Sequence, residues 1–116
     1  MITEIKKKKV FSTDVGYSYD SKKPTIILLH GSGQSHVVWS LTDQFLAEQG
    51  FNVFALDLPG HGNSEGPCLE SIEEMSLWLN EFVEHIGIEK SVLVGHSQGC
   101  LVGLEFARRY PKKIVV

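Results

Sequence analysis

SVLVGHSQGCLVG, residues 91–103, decides how this chain is read. An apolar run, Ser91 to Val94, leads into Gly95-His96-Ser97-Gln98-Gly99, and a second apolar stretch follows. Gly-x-Ser-x-Gly between a strand and a helix is the pattern of a nucleophile elbow. The turn is so sharp that its serine takes a strained backbone conformation. Positions two before and two after the serine are forced together, and glycine has no side chain to clash there. The hydroxyl of Ser97 is thereby pushed out above the sheet. The amide of Gln98, at the start of a helix, points at the same spot, where it can accept developing negative charge with help from the helix dipole. Five residues alone are a weak signal. The strand before them and the helix after them are what give the pattern weight.

Working outward, the rest of the chain alternates strand and helix. Residues 4–20 read as two short strands, a hairpin turning near Ser12–Asp14. Thr25 to His30 is a continuous apolar run rich in β-branched residues, as in a strand buried on both faces. Residues 30–36 form a glycine-rich loop. Residues 39–50 have helical spacing, with Trp39, Phe45 and Leu46 followed by Gly50 as a stop. Val53–Leu56 is a second buried strand with a turn-rich loop after it. Ser71-Ile72-Glu73-Glu74 is a capping box, in which the serine caps the third amide and the glutamate reaches back. The helix behind it repeats Ile72, Met75, Leu79, Phe82, Val83 and Ile86 at three- and four-residue intervals until Gly87. Residues 91–96 are a third buried strand, 98–110 a third helix ended by Pro111, and Lys113 to Val116 the start of a fourth apolar run.

This alternation predicts an α/β fold: a mainly parallel sheet with helices on both faces. The chain is one domain, with strands or a hairpin in residues 1–24 and the glycine loops, helices and elbow in residues 25–116. In such sheets chemistry gathers at the carboxyl ends of the strands. The loops at 30–36, 57–64 and 95–99 all fall there.

Bulk properties narrow the functional class. The 116 residues are 42% hydrophobic and 22% charged, enough apolar material for a core. The net charge of −3 argues against a nucleic-acid partner. Lys6 to Lys9 is the longest run of consecutive basic residues. It reads as a solvated edge rather than a lipid contact, because no aromatic or amphipathic partner accompanies it in sequence. Cys68 and Cys100 form neither a disulfide framework nor a zinc spacing, and Cys100 reads as a small buried residue. There is no apolar stretch of signal-peptide type at the N-terminus, so a cytoplasmic location and no membrane contact are expected. No metal or cofactor is implied.

Two further loops carry chemistry. His30-Gly31-Ser32-Gly33 follows the first buried strand and can offer a second backbone amide to the same oxyanion, from Ser32 or Gly33. Asp57-Leu58-Pro59-Gly60-His61-Gly62-Asn63-Ser64 follows the second. Its Asp57 and His61 read better as parts of a self-satisfying Ω-like loop than as catalytic groups. HGSGQS, DLPGHGNS and GHSQG, in this order and on these strands, resemble the N-terminal half of the α/β-hydrolase fold superfamily over residues 25–116.

That resemblance implies a truncated α/β-hydrolase sheet ending after the helix that follows the elbow. It matches Ser97 to the nucleophile, the Gln98 amide to one oxyanion donor and the Ser32–Gly33 loop to the other. It implies an esterase-like hydrolase acting on ester, thioester or related acyl bonds of a small molecule through an acyl-enzyme. Serine at the elbow disfavours the branches that use aspartate there.

A serine hydroxyl needs a base. In this superfamily the acid and then the histidine follow the serine along the chain. After Ser97 there is no Asp and no His, and the one acid is Glu105. Upstream, His30, His36, His85 and His96 have no evident carboxylate to orient them. The acid and histidine are therefore expected beyond residue 116, and these residues alone are expected to be inactive. The alternative reading is a non-enzymatic relative. An unpaired apolar strand at residues 114–116 is an aggregation liability, so self-association through that edge is expected.

Overall fold

The computed structural model describes residues 1–115. Three parallel strands form the centre: β3 (Thr25–Leu29), β4 (Asn52–Leu56) and β5 (Val92–Gly95), in the spatial order β4-β3-β5. Pairing runs Thr25 with Asn52 through Leu29 with Leu56, and Ile26 with Val92 through Leu29 with Gly95. All three strands therefore end on the same side, and the loops at residues 30, 57 and 96 leave together. An antiparallel hairpin, β1 (Ile2–Ile5) with β2 (Lys8–Phe11), meets the free edge of β4 through a Ser12–Leu56 bridge.

Alternation along the strands sorts the core into two layers. Ile27, Leu29, Phe54 and Leu56 face α2 (Ile72–Ile86) and α3 (Gln98–Arg109), where they meet Leu79, Phe82, Val102 and Phe106. Ile26, Leu28, Val53 and Ala55 face the other way, onto Ala47 of α1 (Thr42–Glu48). α2 forms where the capping serine and the apolar stripe place it. Ser71 Oγ accepts the Glu74 amide at 3.1 Å, and Gly87 closes the helix in the left-handed conformation. The Glu74 carboxylate accepts the Ser71 hydroxyl at 3.3 Å. No helix of the described residues is long and apolar enough to cross a membrane.

Four details differ from the sequence reading. The hairpin turns at Lys6-Lys7, not near Ser12–Asp14. Both lysines take positive φ, 49° and 65°, which matches strand twist in a two-residue turn. No glycine or asparagine marks it, so the sequence hides it. The helix expected over 39–50 is split into a 3₁₀ turn at His36–Trp39 and α1, with Leu41 at φ 72° between them. Phe45 consequently points to solvent and Asp43 and Ala47 face inward.

β5 is not buried on both faces. Val92 and Val94 are 38% and 37% exposed because they share a face with Ile26 and Leu28 but lie beyond the reach of α1, which packs on β4. Cys100 is exposed on the first turn of α3, its Sγ 3.0 Å from the Gly95 carbonyl. At the end of the chain Ile114 forms a parallel bridge to Ser91, and the Val115 amide donates to the Ser91 carbonyl at 3.1 Å. Val116, the last residue of the expected fourth run, lies outside the described residues.

Candidate active site

Ser97 connects β5 to α3 with φ 57° and ψ −119°. This backbone region is sparsely populated by residues with a side chain, and such strain persists only where the surroundings fix it. The surroundings here are tight. A methyl at Gly95 would overlap the main chain of Gly99 and Cys100, and one at Gly99 would overlap the Leu29 carbonyl at the end of β3. The His96 amide donates to that same Leu29 carbonyl at 3.0 Å. Two glycines thus let α3 start directly against the central strand, and Ser97 takes up the bend.

The hydroxyl of Ser97 makes no capping bond, although serine at a helix N-cap ordinarily does. The side chain is exposed. In the first turn of α3 the Gly99 amide donates to His96 O at 3.0 Å and the Cys100 amide to Ser97 O at 2.9 Å. The Gln98 amide has no partner among the described residues, and it lies at the positive end of the helix.

The 30–35 loop lies against this turn. A methyl at Gly31 would stand 3.1 Å from Ser97 Cβ and 3.2 Å from His96 O. Gln34 ties the two together: its Oε1 accepts the Gly31 amide at 2.9 Å and faces His96 Nδ1 at 3.0 Å. Of the two candidate oxyanion amides, Gly33 donates to His61 Nε2 at 3.2 Å. Ser32 has no amide partner among the described residues. The sequence left this choice open because it turns on a contact between loops 28 residues apart.

The 57–64 loop is closed by its own side chains. Asp57 is fully buried. Its carboxylate accepts the His36 amide at 2.6 Å, His36 Nδ1 at 2.9 Å and the Asn63 amide at 2.9 Å. Ser64 Oγ donates to Asp57 O at 2.7 Å and accepts the Phe11 amide at 2.9 Å, which fastens the loop to the hairpin. His61 faces Pro59 O through Nδ1 at 3.1 Å. These are the bonds of a structural loop.

The histidines divide accordingly. His30 is fully buried, with Nδ1 facing Gly31 O at 2.7 Å while Nε2 accepts the Leu58 amide at 3.0 Å. Burial pushes its pKa below the ordinary value, against the opposing pull of the Gly31 carbonyl. It is a neutral brace between two loops. His36 does have a carboxylate to orient it, Asp57, contrary to the sequence expectation. The pair spans 21 residues and leaves no local signature. His36 also packs on the Phe11 ring, centroids 4.8 Å apart, and Ser97 is not among its hydrogen-bond partners. His85 is exposed on α2. Glu105, the one acid after Ser97, is bound to Arg108 and Arg109 of its own helix. Their guanidinium groups hold its pKa at about 2. No cluster of three metal-ligating side chains occurs among the described residues.

A family profile described as alpha/beta hydrolase fold matches residues 24–115. An uncharacterized protein of Mycobacterium bovis is 34% identical over 92 residues, covering 78% of this chain and 27% of that protein. "Putative carbamate hydrolase RutD" of Escherichia coli O139:H28 is 35% identical over 95 residues, covering 80% of this chain and 35% of that protein. Among solved structures, a putative alpha/beta hydrolase from Nostoc sp PCC 7120 superposes with a TM-score of 0.82 at 28% identity, covering 98% of this chain and 39% of that one. The chain thus spans about a third of the length of the curated relatives it matches.

Proposed function

The chain belongs to the α/β-hydrolase fold family, and from that premise we propose that Ser97 is the nucleophile of a hydrolase that cleaves acyl bonds. The Ser97 hydroxyl attacks a carbonyl carbon while a base takes its proton. The carbonyl oxygen becomes an oxyanion and is received by the amides of Gln98 and Ser32. Collapse of the tetrahedral intermediate releases the alcohol, thiol or amine and leaves an acyl-enzyme on Oγ. Water then releases the acid. Esters and thioesters fit this scheme. So does a carbamate, the class named for the Escherichia coli relative, since it presents the same kind of carbonyl.

One observation carries the proposal. Ser97 is held in a strained elbow with its hydroxyl uncommitted, beside two backbone amides that have no other partner among the described residues. Backbone strain at a residue with a side chain persists only where the surroundings enforce it, and an amide at a helix N-terminus is free to receive an oxyanion. Gly33 then has a shaping role, its amide being held by His61.

A second reading rests on a different observation. None of the five histidines is hydrogen-bonded to Ser97, and no Asp or His follows it in the chain. On that reading residues 1–116 bind but do no chemistry. Turnover of a p-nitrophenyl ester by these residues, lost in Ser97→Ala, would refute it. Labelling of the full-length protein by a fluorophosphonate at Ser97 supports the hydrolase.

A further inference from the structure

The lysine run at residues 6–9 has a partner that sequence proximity does not reveal. Folding of the hairpin brings it against α2 and the 64–69 segment, around a cavity of about 260 Å³. The interior is apolar: Ile5, Val10, Pro59, Leu69 and the ring of Trp78. The exposed Lys6, Lys8 and Lys9 border it, as do Glu65 and Glu81.

The charges around the opening are unequally engaged. Lys6 pairs with Glu81 at 3.1 Å. Glu65 accepts the main-chain amide of Lys9 at 2.9 Å. Lys8 Nζ has only the Gly66 carbonyl, at 3.0 Å, and neither Lys8 nor Lys9 has a carboxylate partner among the described residues. None of Ser97, Gln98, Ser32 and Gly33 borders the cavity. It lies on the hairpin side of the sheet, with β4 and β3 between it and β5.

From this arrangement we propose that the cavity is a second binding site, separate from Ser97, for a single-chain carboxylate. The aliphatic tail lies against Trp78, Leu69 and Val10, and the carboxylate is received by Lys8, which shares the inner face of β2 with Val10 and reaches the 64–69 segment. Ser64, the one neutral polar side chain of the lining, is committed to Asp57 O and the Phe11 amide, so the walls offer no array of free neutral groups for a sugar or a base. A cavity of this size is below the usual range for drug-sized ligands, which favours one slender chain. The chain's net charge of −3 disfavours an extended anionic surface and favours a free anion that meets only this local cluster.

The test is a fluorescence titration of the full-length protein, with the response assigned to Trp78 by its loss in Trp78→Phe. Sodium decanoate is used below its micelle concentration. A saturable response is expected, with affinity falling about fourfold for each methylene removed from the tail. Decanol and decyltrimethylammonium are each expected to bind about tenfold more weakly, decanoate is expected to bind the Lys8→Gln variant about tenfold more weakly, and added salt should weaken decanoate binding. Lys8 is exposed, so the variant keeps the fold, which an unchanged unfolding curve verifies. The proposal is overturned if decyltrimethylammonium binds as well as decanoate, or if the lysine variant binds unchanged. It is equally overturned if phosphatidylglycerol vesicles bind through Lys8 while monomeric decanoate leaves Trp78 unaffected.

Discussion

Two loops at the same end of the sheet treat their polar groups in opposite ways. In the 57–64 loop the Asp57 carboxylate holds three donors, Ser64 bonds both ways and His61 bridges to the 30–35 loop. At the 95–99 elbow the serine hydroxyl makes no capping bond, and the amides of Gln98 and Ser32 stand open. Both loops are glycine-rich, and both contain histidine. The difference lies in which donors are left unpaired where backbone strain has been built in. A closed loop contributes stability; an open one beside a strained serine can, on the proposed reading, contribute transition-state binding.

Removing the keystone of the closed loop should have the largest effect. Asp57→Ala strands the amides of His36 and Asn63, and the full-length protein should lose about 3 kcal/mol in a denaturant titration. Loss of fluorophosphonate labelling with no loss of stability would instead move Asp57 into the chemistry and dissolve the contrast. Gly99→Ala comes next. Its methyl meets the Leu29 carbonyl, so the elbow must shift at a cost of about 1–3 kcal/mol. Unchanged stability and labelling would mean that the close approach of α3 to β3 does not shape Ser97.

The brace between the loops gives a pH signature. His30 has its pKa lowered by burial, so the folded chain resists a proton that the unfolded chain accepts. Both states are neutral above the ordinary histidine pKa, and there the group has no effect on stability. As pH falls below about 6.5, stability should drop by at most about 1.4 kcal/mol per pH unit, until the folded-state pKa is reached. A His30→Asn variant should show a shallower slope between pH 6.5 and 5. The smallest effect belongs to the elbow's own side chain. Gln98→Ala keeps the main-chain amide, so labelling should change less than about threefold, against the 10²–10³ typical of losing an oxyanion donor.

This contrast also marks how far the sequence could be read. β3 and β4 were legible as apolar runs, and α2 through the Ser71 cap and its repeating stripe. The elbow was legible because a rare backbone turn demands glycine on both sides of Ser97. The hairpin turn was not, since Lys6 and Lys7 adopt positive φ without the residues that usually signal it. The exposure of β5 depends on how far α1 reaches, which no local pattern encodes. The Asp57–His36 pair and the engagement of Gly33 by His61 are contacts between loops, visible only once the three strand ends stand side by side. Trp78, which lines the same cavity as the lysine run, lies beyond β3, α1 and β4 in the chain and is hidden for the same reason.

The central claim is that the open elbow makes Ser97 a nucleophile. Its most direct test is fluorophosphonate labelling of the folded full-length protein, with the modified residue located by peptide mass mapping. One phosphonylated residue, Ser97, is expected, with no label in a Ser97→Ala protein of unchanged stability. A folded wild-type protein that stays unlabelled, or a label that persists in Ser97→Ala, would contradict it.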